Sequence, residues 1–351
     1  ISVSRVERYL EENPEIQAVL ITSPTYDGVV SDVRRIAELA HDHGIPLIVD
    51  EAHGAHFRFS DYFPVSAVEL GADVVIQSFH KTLPAMTQTA VLHLCSDRVS
   101  EKLIRRFLGI YETSSPSYIL MSSLDACVAK LEKDSGRLFE EFTENLEAAR
   151  KQLLKCRHIR LVPAPGEKSS EEDDTAGTDV FDYDRSKLIF STLHSNLNGP
   201  ALSHILREKY HLEMEMTTEN YVLALAAVGD TREGFQRLCK AIKEIDAQEN
   251  ESIRKEKYTC KCNTMKQFMS ISQAMDAPSQ LCILEESVGR IAAEFVYLYP
   301  PGIPIIVPGE QISGLFTRNV RRYMEQGLNL HGLCGENNET ISVVKERAEE
   351  K

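Results

Sequence analysis

Between positions 16 and 94 short apolar runs alternate with amphipathic stretches. The pattern predicts strands over 18–21, 46–50, 73–77 and 90–94. It also predicts a helix over 31–43, stopped by Gly44 with Pro46 following, and a short helix over 64–70, closed by Gly71. This is the alternation that βαβ units impose on a mostly parallel sheet. In such sheets ligands bind outside the carboxyl ends of the strands, so the polar exits at 22–28, 50–56 and 78–81 are where chemistry is expected.

Past position 98 the texture turns helical, and a long amphipathic stretch over 117–157 is expected to connect two lobes. Positions 163–179, rich in Glu, Asp, Ser, Gly and Pro, read as a solvated loop. Strands at 187–192 and 221–228 with helices at 199–210 and 232–245 suggest a small α/β domain, and 246–257 reads as a charged connector. A final module carries Tyr299-Pro300-Pro301-Gly302-Ile303-Pro304 and Val307-Pro308-Gly309-Glu310, where dense prolines fix a non-helical backbone. The expected domains are therefore 1–157, 158–250 and 251–351.

A chain of 351 residues exceeds the size at which one core stops growing, which agrees with more than one domain. The net charge of −14 argues against nucleic acid or an anionic membrane as the main partner, because those need clustered Lys and Arg. No apolar run is long enough to span a membrane, and the first residues lack a signal-peptide pattern. Eight cysteines are scattered without disulfide-scaffold spacing, which fits a reducing, cytoplasmic compartment. Cys260 and Cys262 have no second ligand pair at zinc spacing, so no metal is expected.

Two strand exits carry a specific pairing. Asp50, in Asp50-Glu51-Ala52-His53-Gly54-Ala55-His56, places a carboxylate where one strand leaves the sheet. Lys81, in Ser78-Phe79-His80-Lys81-Thr82-Leu83, places an amine at the end of a neighbouring one. Pyridoxal-phosphate chemistry requires such a pair: the lysine forms a Schiff base with the cofactor aldehyde, and the aspartate keeps the pyridinium nitrogen protonated. Ser78 and His80 flank the lysine within reach of the cofactor phosphate, and His53 is placed to pack against the ring. Taken one at a time, Lys81 reads as a solvated lysine, Asp50 as a helix cap, and His53 and His56 as structural histidines; the ordered set points to the cofactor.

With Ser23-Pro24-Thr25-Tyr26-Asp27-Gly28 and the proline-rich C-terminal motifs in the same order, the chain resembles the ornithine/lysine/arginine decarboxylases, fold-type-I pyridoxal-phosphate enzymes. The resemblance implies an α/β large domain with a mostly parallel sheet and a smaller α/β C-terminal domain. It implies a pyridoxal 5′-phosphate site made by Asp50, Ala52, His53, Ser78, His80 and Lys81, with Lys81 and His53 catalytic. It further implies α-decarboxylation of arginine, lysine or ornithine, Glu294 as the acidic partner of the substrate's distal charge, and a homodimer at least. The family's glycine-containing phosphate loop has no counterpart before Ala18, so the large domain is expected to be incomplete at its N-terminus.

Three other readings stay open or weak. Asp50 and Lys81 serve aminotransfer or side-chain lyase chemistry equally well, and a chain lacking the N-terminal part is alternatively a non-catalytic partner of a full-length subunit. Asp50-Glu51-Ala52-His53 also spells a helicase ATPase motif, but the Gly-x-x-x-x-Gly-Lys-Ser/Thr phosphate loop that motif needs is nowhere in the chain.

Overall fold

The computed structural model describes residues 1–167, 180–250, 265–300, 302–335 and 338–345. Most of the acidic loop, part of the charged connector, Cys260, Cys262 and Pro301 lie outside the described residues. In chain order the elements begin α1 (Val3–Glu12), β1 (Val19–Thr22), β2 (Val29–Val30), α2 (Val33–Asp42), β3 (Leu47–Asp50), β4 (Val74–Ser78), α3 (Phe79–Thr82) and β5 (Ala90–Leu94). They continue with α4 (Glu101–Tyr111), α5 (Tyr118–Leu153), β6 (Arg160–Leu161), β7 (Asp182–Tyr183), β8 (Lys187–Ser191), α6 (Gly199–Tyr210), β9 (Met216–Thr217), β10 (Tyr221–Leu225) and α7 (Arg232–Asp246). The last are α8 (Ile271–Asp276), β11 (Ser279–Ile283), β12 (Val296–Leu298), β13 (Ile303–Ile306), α9 (Gly314–Glu325), β14 (Leu330–His331) and β15 (Thr340–Val344).

The chain divides into two compact units: 1–190 with 223–249, and 191–222 with 250–351. The long helix α5, expected to connect lobes, lies wholly within the first.

In the first unit a sheet of order β1-β3-β4-β5 has three parallel strands and an antiparallel fourth. Side chains alternate across it, and Ile21, Leu47, Val49 and Val75 share the face packed against Ile36, Ala37 and Ala40 of α2. Helix α2 forms because its buried residues Val33, Ile36, Ala37, Leu39 and Ala40 recur at three and four, and because Asp32 accepts the Arg35 N–H at its start. Asp73, fully buried just before β4, accepts from the Leu47 N–H, His41 Nε2 and the Ser96 hydroxyl, which clamps the amino end of the sheet.

Three expected boundaries shift for visible reasons. The helix predicted over 64–70 shrinks to one tight turn at Ala67–Glu69, because the Glu51 carboxylate takes the Ser66 hydroxyl and the Ala67 N–H. The strand predicted to reach 228 stops at Leu225, where the Ala226 N–H turns to the Ser186 carbonyl and the Ala227 N–H to Asp230. The helix predicted to reach 157 stops at Leu153, and Asp246 at the end of α7 captures the N–H groups of Arg157, His158 and Ile159.

The second unit has its own core, with Leu284, Val296, Ile306, Phe316, Val320 and Ile341 at its centre. Strands β11 and β15 pair antiparallel there, and β12 lies between β13 and β14. No helix among the described residues is long and apolar enough to cross a membrane.

Candidate active site

Strands β3 and β4 run parallel with Asp50 opposite Ile76, so both end at the same edge of the sheet. Asp50 is the last residue of β3, and its Oδ1 accepts the Ala52 N–H at 3.0 Å. Lys81 sits in the four-residue helix α3 that continues β4. The two residues singled out as the cofactor pair thus stand at adjacent strand exits.

The chain after Asp50 folds back in a turn, with the Gly54 N–H on the Glu51 carbonyl. That turn sends Glu51 and His53 to different surroundings. Glu51 is buried and accepts the Ser66 hydroxyl at 2.7 Å, the Ala67 N–H at 2.7 Å and the Gln77 amide at 2.6 Å. Burial nevertheless pushes its carboxyl up to about 7. His53 is buried with its ring against Tyr26 at 4.7 Å, edge to face. Its Nε2 lies 3.0 Å from Lys81 Nζ and its Nδ1 3.3 Å from Lys187 Nζ. Burial first, then the charges of Lys187 and Lys81, push its imidazole down to about 3.

These two groups set opposite pH dependences of stability. Glu51 favours the fold fully below its ordinary 4.5, and that contribution fades as pH rises through about 7. His53 favours the fold above its ordinary 6.5, and that contribution is lost as pH falls toward about 3. Each is worth about 3–5 kcal/mol across its window, and between pH 4.5 and 6.5 the slopes oppose each other. We therefore expect urea midpoints of Glu51→Gln to fall more steeply with acid than those of the parent, and those of His53→Gln to fall more steeply with alkali. Parallel pH profiles for all three proteins would show that neither group titrates as described.

Lys187, which the sequence marks only as the beginning of a strand, opens β8. It is one per cent exposed, and its Nζ lies 3.8 Å from Asp184 Oδ2. The other carboxylate oxygen accepts the Ser186 hydroxyl at 2.7 Å, the Ser186 N–H at 3.0 Å and His56 Nε2 at 3.2 Å. Burial works to raise the Asp184 carboxyl, but His56, Lys187 and Ser186 outweigh it and hold the group well below the usual carboxylate range. The short antiparallel pair of β2 with β7 brings this cluster to the turn that holds Tyr26, and the Asp184 N–H donates to the Gly28 carbonyl at 2.8 Å. Gly28 has φ +97, and a Cβ there would stand 2.6 Å from Lys187 Cγ, so both its backbone conformation and the close passage of Lys187 require glycine.

The remaining predicted residues fall as follows. His80 Nδ1 lies 2.9 Å from the Thr89 carbonyl, so part of that ring is engaged with the backbone before β5. Ser78 precedes α3, and its hydroxyl makes no cap bond to the helix. Glu294 belongs to the second unit, where it accepts the Ser342 N–H at 2.5 Å and burial pushes its carboxyl up. No group of three or more metal-ligating side chains occurs among the described residues.

Comparison with known proteins adds the family. The arginine decarboxylase of Bacillus anthracis is 31% identical over 350 residues, covering 99% of this chain and 69% of that protein. The arginine decarboxylase of Bacillus subtilis is 32% identical over 351 residues, covering 99% and 70%. The constitutive lysine decarboxylase of E. coli superposes with a TM-score of 0.76 at 19% identity; the match covers 97% of this chain and 60% of that one, and supports the fold-type-I pyridoxal-phosphate architecture. Residues 1–234 match the Orn/Lys/Arg decarboxylase major domain and residues 251–332 the C-terminal domain, and the chain belongs to the Orn/Lys/Arg decarboxylase family.

Proposed function

We propose that the protein carries out pyridoxal-phosphate-dependent α-decarboxylation of a basic amino acid to its amine, with arginine the first candidate. The observation that carries this reading is the Lys81 amine held 3.0 Å from the buried His53 ring, at the strand exit beside Asp50. Arginine is placed before lysine and ornithine because the Bacillus relatives at 31% and 32% identity are named arginine decarboxylases.

The donor set fits the cofactor. Lys81 offers a partly exposed amine, Asp50 a carboxylate for a pyridinium N–H, and Ser78 a hydroxyl not spent on capping. When bound, the cofactor supplies an aldehyde for the substrate amine and a ring that accepts the electrons left when carbon dioxide departs. Asp50 would hold the ring nitrogen in its protonated form. Lys81 would hold the cofactor until the substrate amine replaces it, and its freed Nζ would then carry the proton for the substrate α-carbon. His53 stays uncharged near neutral pH, so it acts as a hydrogen-bonding wall beside Nζ and not as a proton donor. Ala52, in the turn between Asp50 and His53, would contact the ring.

The chain mixed with pyridoxal 5′-phosphate should develop an absorbance band near the visible edge that Lys81→Ala lacks. It should then release an amine and carbon dioxide from arginine, lysine or ornithine. A keto acid product would instead assign aminotransfer.

For the substrate's distal charge we keep Glu294 as the acidic partner. Glu294→Gln should raise KM for these amino acids about tenfold with little change in kcat, the pattern of a lost binding contact. An unchanged KM would remove Glu294 from the site. A homodimer in the cytoplasm completes the reading. Exposed Phe107, Ile110 and Tyr111 on α4 offer apolar surface for a second copy, and the cysteines at 95, 127, 156, 239, 282 and 334 are free.

A further inference from the structure

We propose that Gln77 is a positioning residue for the cofactor pair: through Glu51 it holds the β3 exit against the β4 exit and so fixes how far Asp50 stands from Lys81. The inference deepens the reading above and rests on those two residues holding the cofactor.

The backbone alone does not fix that separation. Strands β3 and β4 are in register from Ile48 opposite Val74 to Asp50 opposite Ile76. The Glu51 N–H, donating to the Ile76 carbonyl at 2.8 Å, is the last rung between them among the described residues. Beyond it the two chains part. The β3 side closes into the turn from Glu51 to Gly54, and the β4 side enters α3, whose four residues include Lys81. A single helical turn has little stability of its own, so its placement depends on what holds the residues before it.

Side chains take over where the rungs stop. Period-two alternation puts Gln77 with Val75 on the face packed against α2, and Ser78 with Ile76 on the other. By the same alternation Glu51 follows Val49 on the α2 face, while Asp50 points to the other. Gln77 Nε2 donates to Glu51 Oε2 at 2.6 Å, and both side chains are buried. Each end of this link is anchored in turn. Glu51 accepts the Ser66 hydroxyl and the Ala67 N–H, both at 2.7 Å, and Gln77 Oε1 lies 3.0 Å from His93 Nε2. His93 stands on β5, opposite Val75 of β4. The network therefore joins the turn at 66–67 to β3, β4 and β5 directly behind the two strand exits.

Core packing alone would favour apolar residues at 51 and 77. Leu47, Val49 and Val75 fill the same face nearer its amino end, and a buried amide or carboxyl costs free energy unless it is bonded. What the polar pair adds is direction, because a satisfied hydrogen-bond network specifies one arrangement where apolar contacts allow several. The contact of His53 with Lys81 also spans the two exits, but it uses the amine that the cofactor needs. The Glu51–Gln77 link engages neither Asp50 nor Lys81, so it stays in place when the cofactor binds.

Affinity for pyridoxal 5′-phosphate, read by titrating the cofactor absorbance band, tests this in a double-mutant cycle of Gln77→Met and Asp50→Asn, with the urea midpoint of each variant recorded beside it. Gln77→Met should bind the cofactor at least about tenfold more weakly, the scale of losing a residue that orients a ligand-holding group. In the Asp50→Asn background the same substitution should cost less than about twofold, because the group that Gln77 positions has already lost its charge. A purely structural role predicts the same fold loss in both backgrounds. That result overturns the proposal, and so does parental affinity in a folded Gln77→Met. Gln77→Asn, whose amide is one methylene too short to reach Glu51, carries the same cycle if Gln77→Met does not fold. Failure of the underlying reading looks different: a cofactor band that survives Lys81→Ala, or an affinity that Asp50→Asn leaves unchanged, removes the pair itself and the proposal with it.

Discussion

Lys81→Ala is expected to lower kcat on the preferred basic amino acid by on the order of 10^4-fold or more, the scale of removing a covalent group that acts as a unit with its neighbours. The protein should still fold. Lys81 is only partly buried, and among the described residues its side chain has one polar contact, with His53, and no ion pair, so its truncation leaves no buried charge behind. Near-parental thermal stability with the activity gone is therefore the expected result, measured by amine release and by unfolding in parallel. Carbon dioxide release from a folded Lys81→Ala protein would end the assignment.

Arg150→Met should have the largest effect on stability, a loss of roughly 3–5 kcal/mol, the usual cost of breaking one side of a buried charge pair. Arg150 lies on α5 with none of its surface exposed. It donates to both oxygens of Glu167, at 2.8 and 2.6 Å, and to the carbonyls of Val162, Arg185 and Lys187. Burial works against its charge, but the Glu167 carboxylate outweighs that and raises its pKa further. Methionine fills much of the space but satisfies none of these acceptors. Because two of the carbonyls belong to the turn that carries Lys187, the substitution should also loosen the cluster behind His53. A urea midpoint for Arg150→Met equal to that of the parent would show that the pair contributes nothing net.

The two halves of the site differ in how far they can be read from the chain. Asp50 and Lys81 are legible because buried parallel strands are short apolar runs, so a polar residue directly after one marks the edge where ligands bind. The strands at β1, β3, β4 and β5 follow that pattern to within a residue or two of the predicted bounds. Lys187 and Asp184 are not legible in this way. The contact of Lys187 with His53 spans 134 positions, and it is created by the two-residue pairing of β2 with β7, too short to leave a periodic signal. A lysine opening an apolar strand also looks like any solvated strand end. The hint in the sequence is Asp184, three residues before it, which can pair with a lysine on the same turn.

His80 is a third case. Its neighbourhood in sequence suggests a phosphate contact, and the fold adds a contact of its Nδ1 with the Thr89 carbonyl that the sequence does not mark. Adjacent residues on a single helical turn point in different directions, so nearness along the chain does not fix what each one touches.

The depth of the Asp184–Lys187 pair determines how the solvent's ions act on the site. Their side chains are zero and one per cent exposed, against 56% and 60% for the surface pair Arg8 and Glu12. Mobile ions screen the surface pair within a Debye length of about 8 Å at physiological ionic strength, but they cannot enter between the buried charges. The electric field that this pair imposes on the imidazole is therefore almost the same in dilute buffer and in concentrated salt, a constancy that a cation on the protein's exterior could not provide.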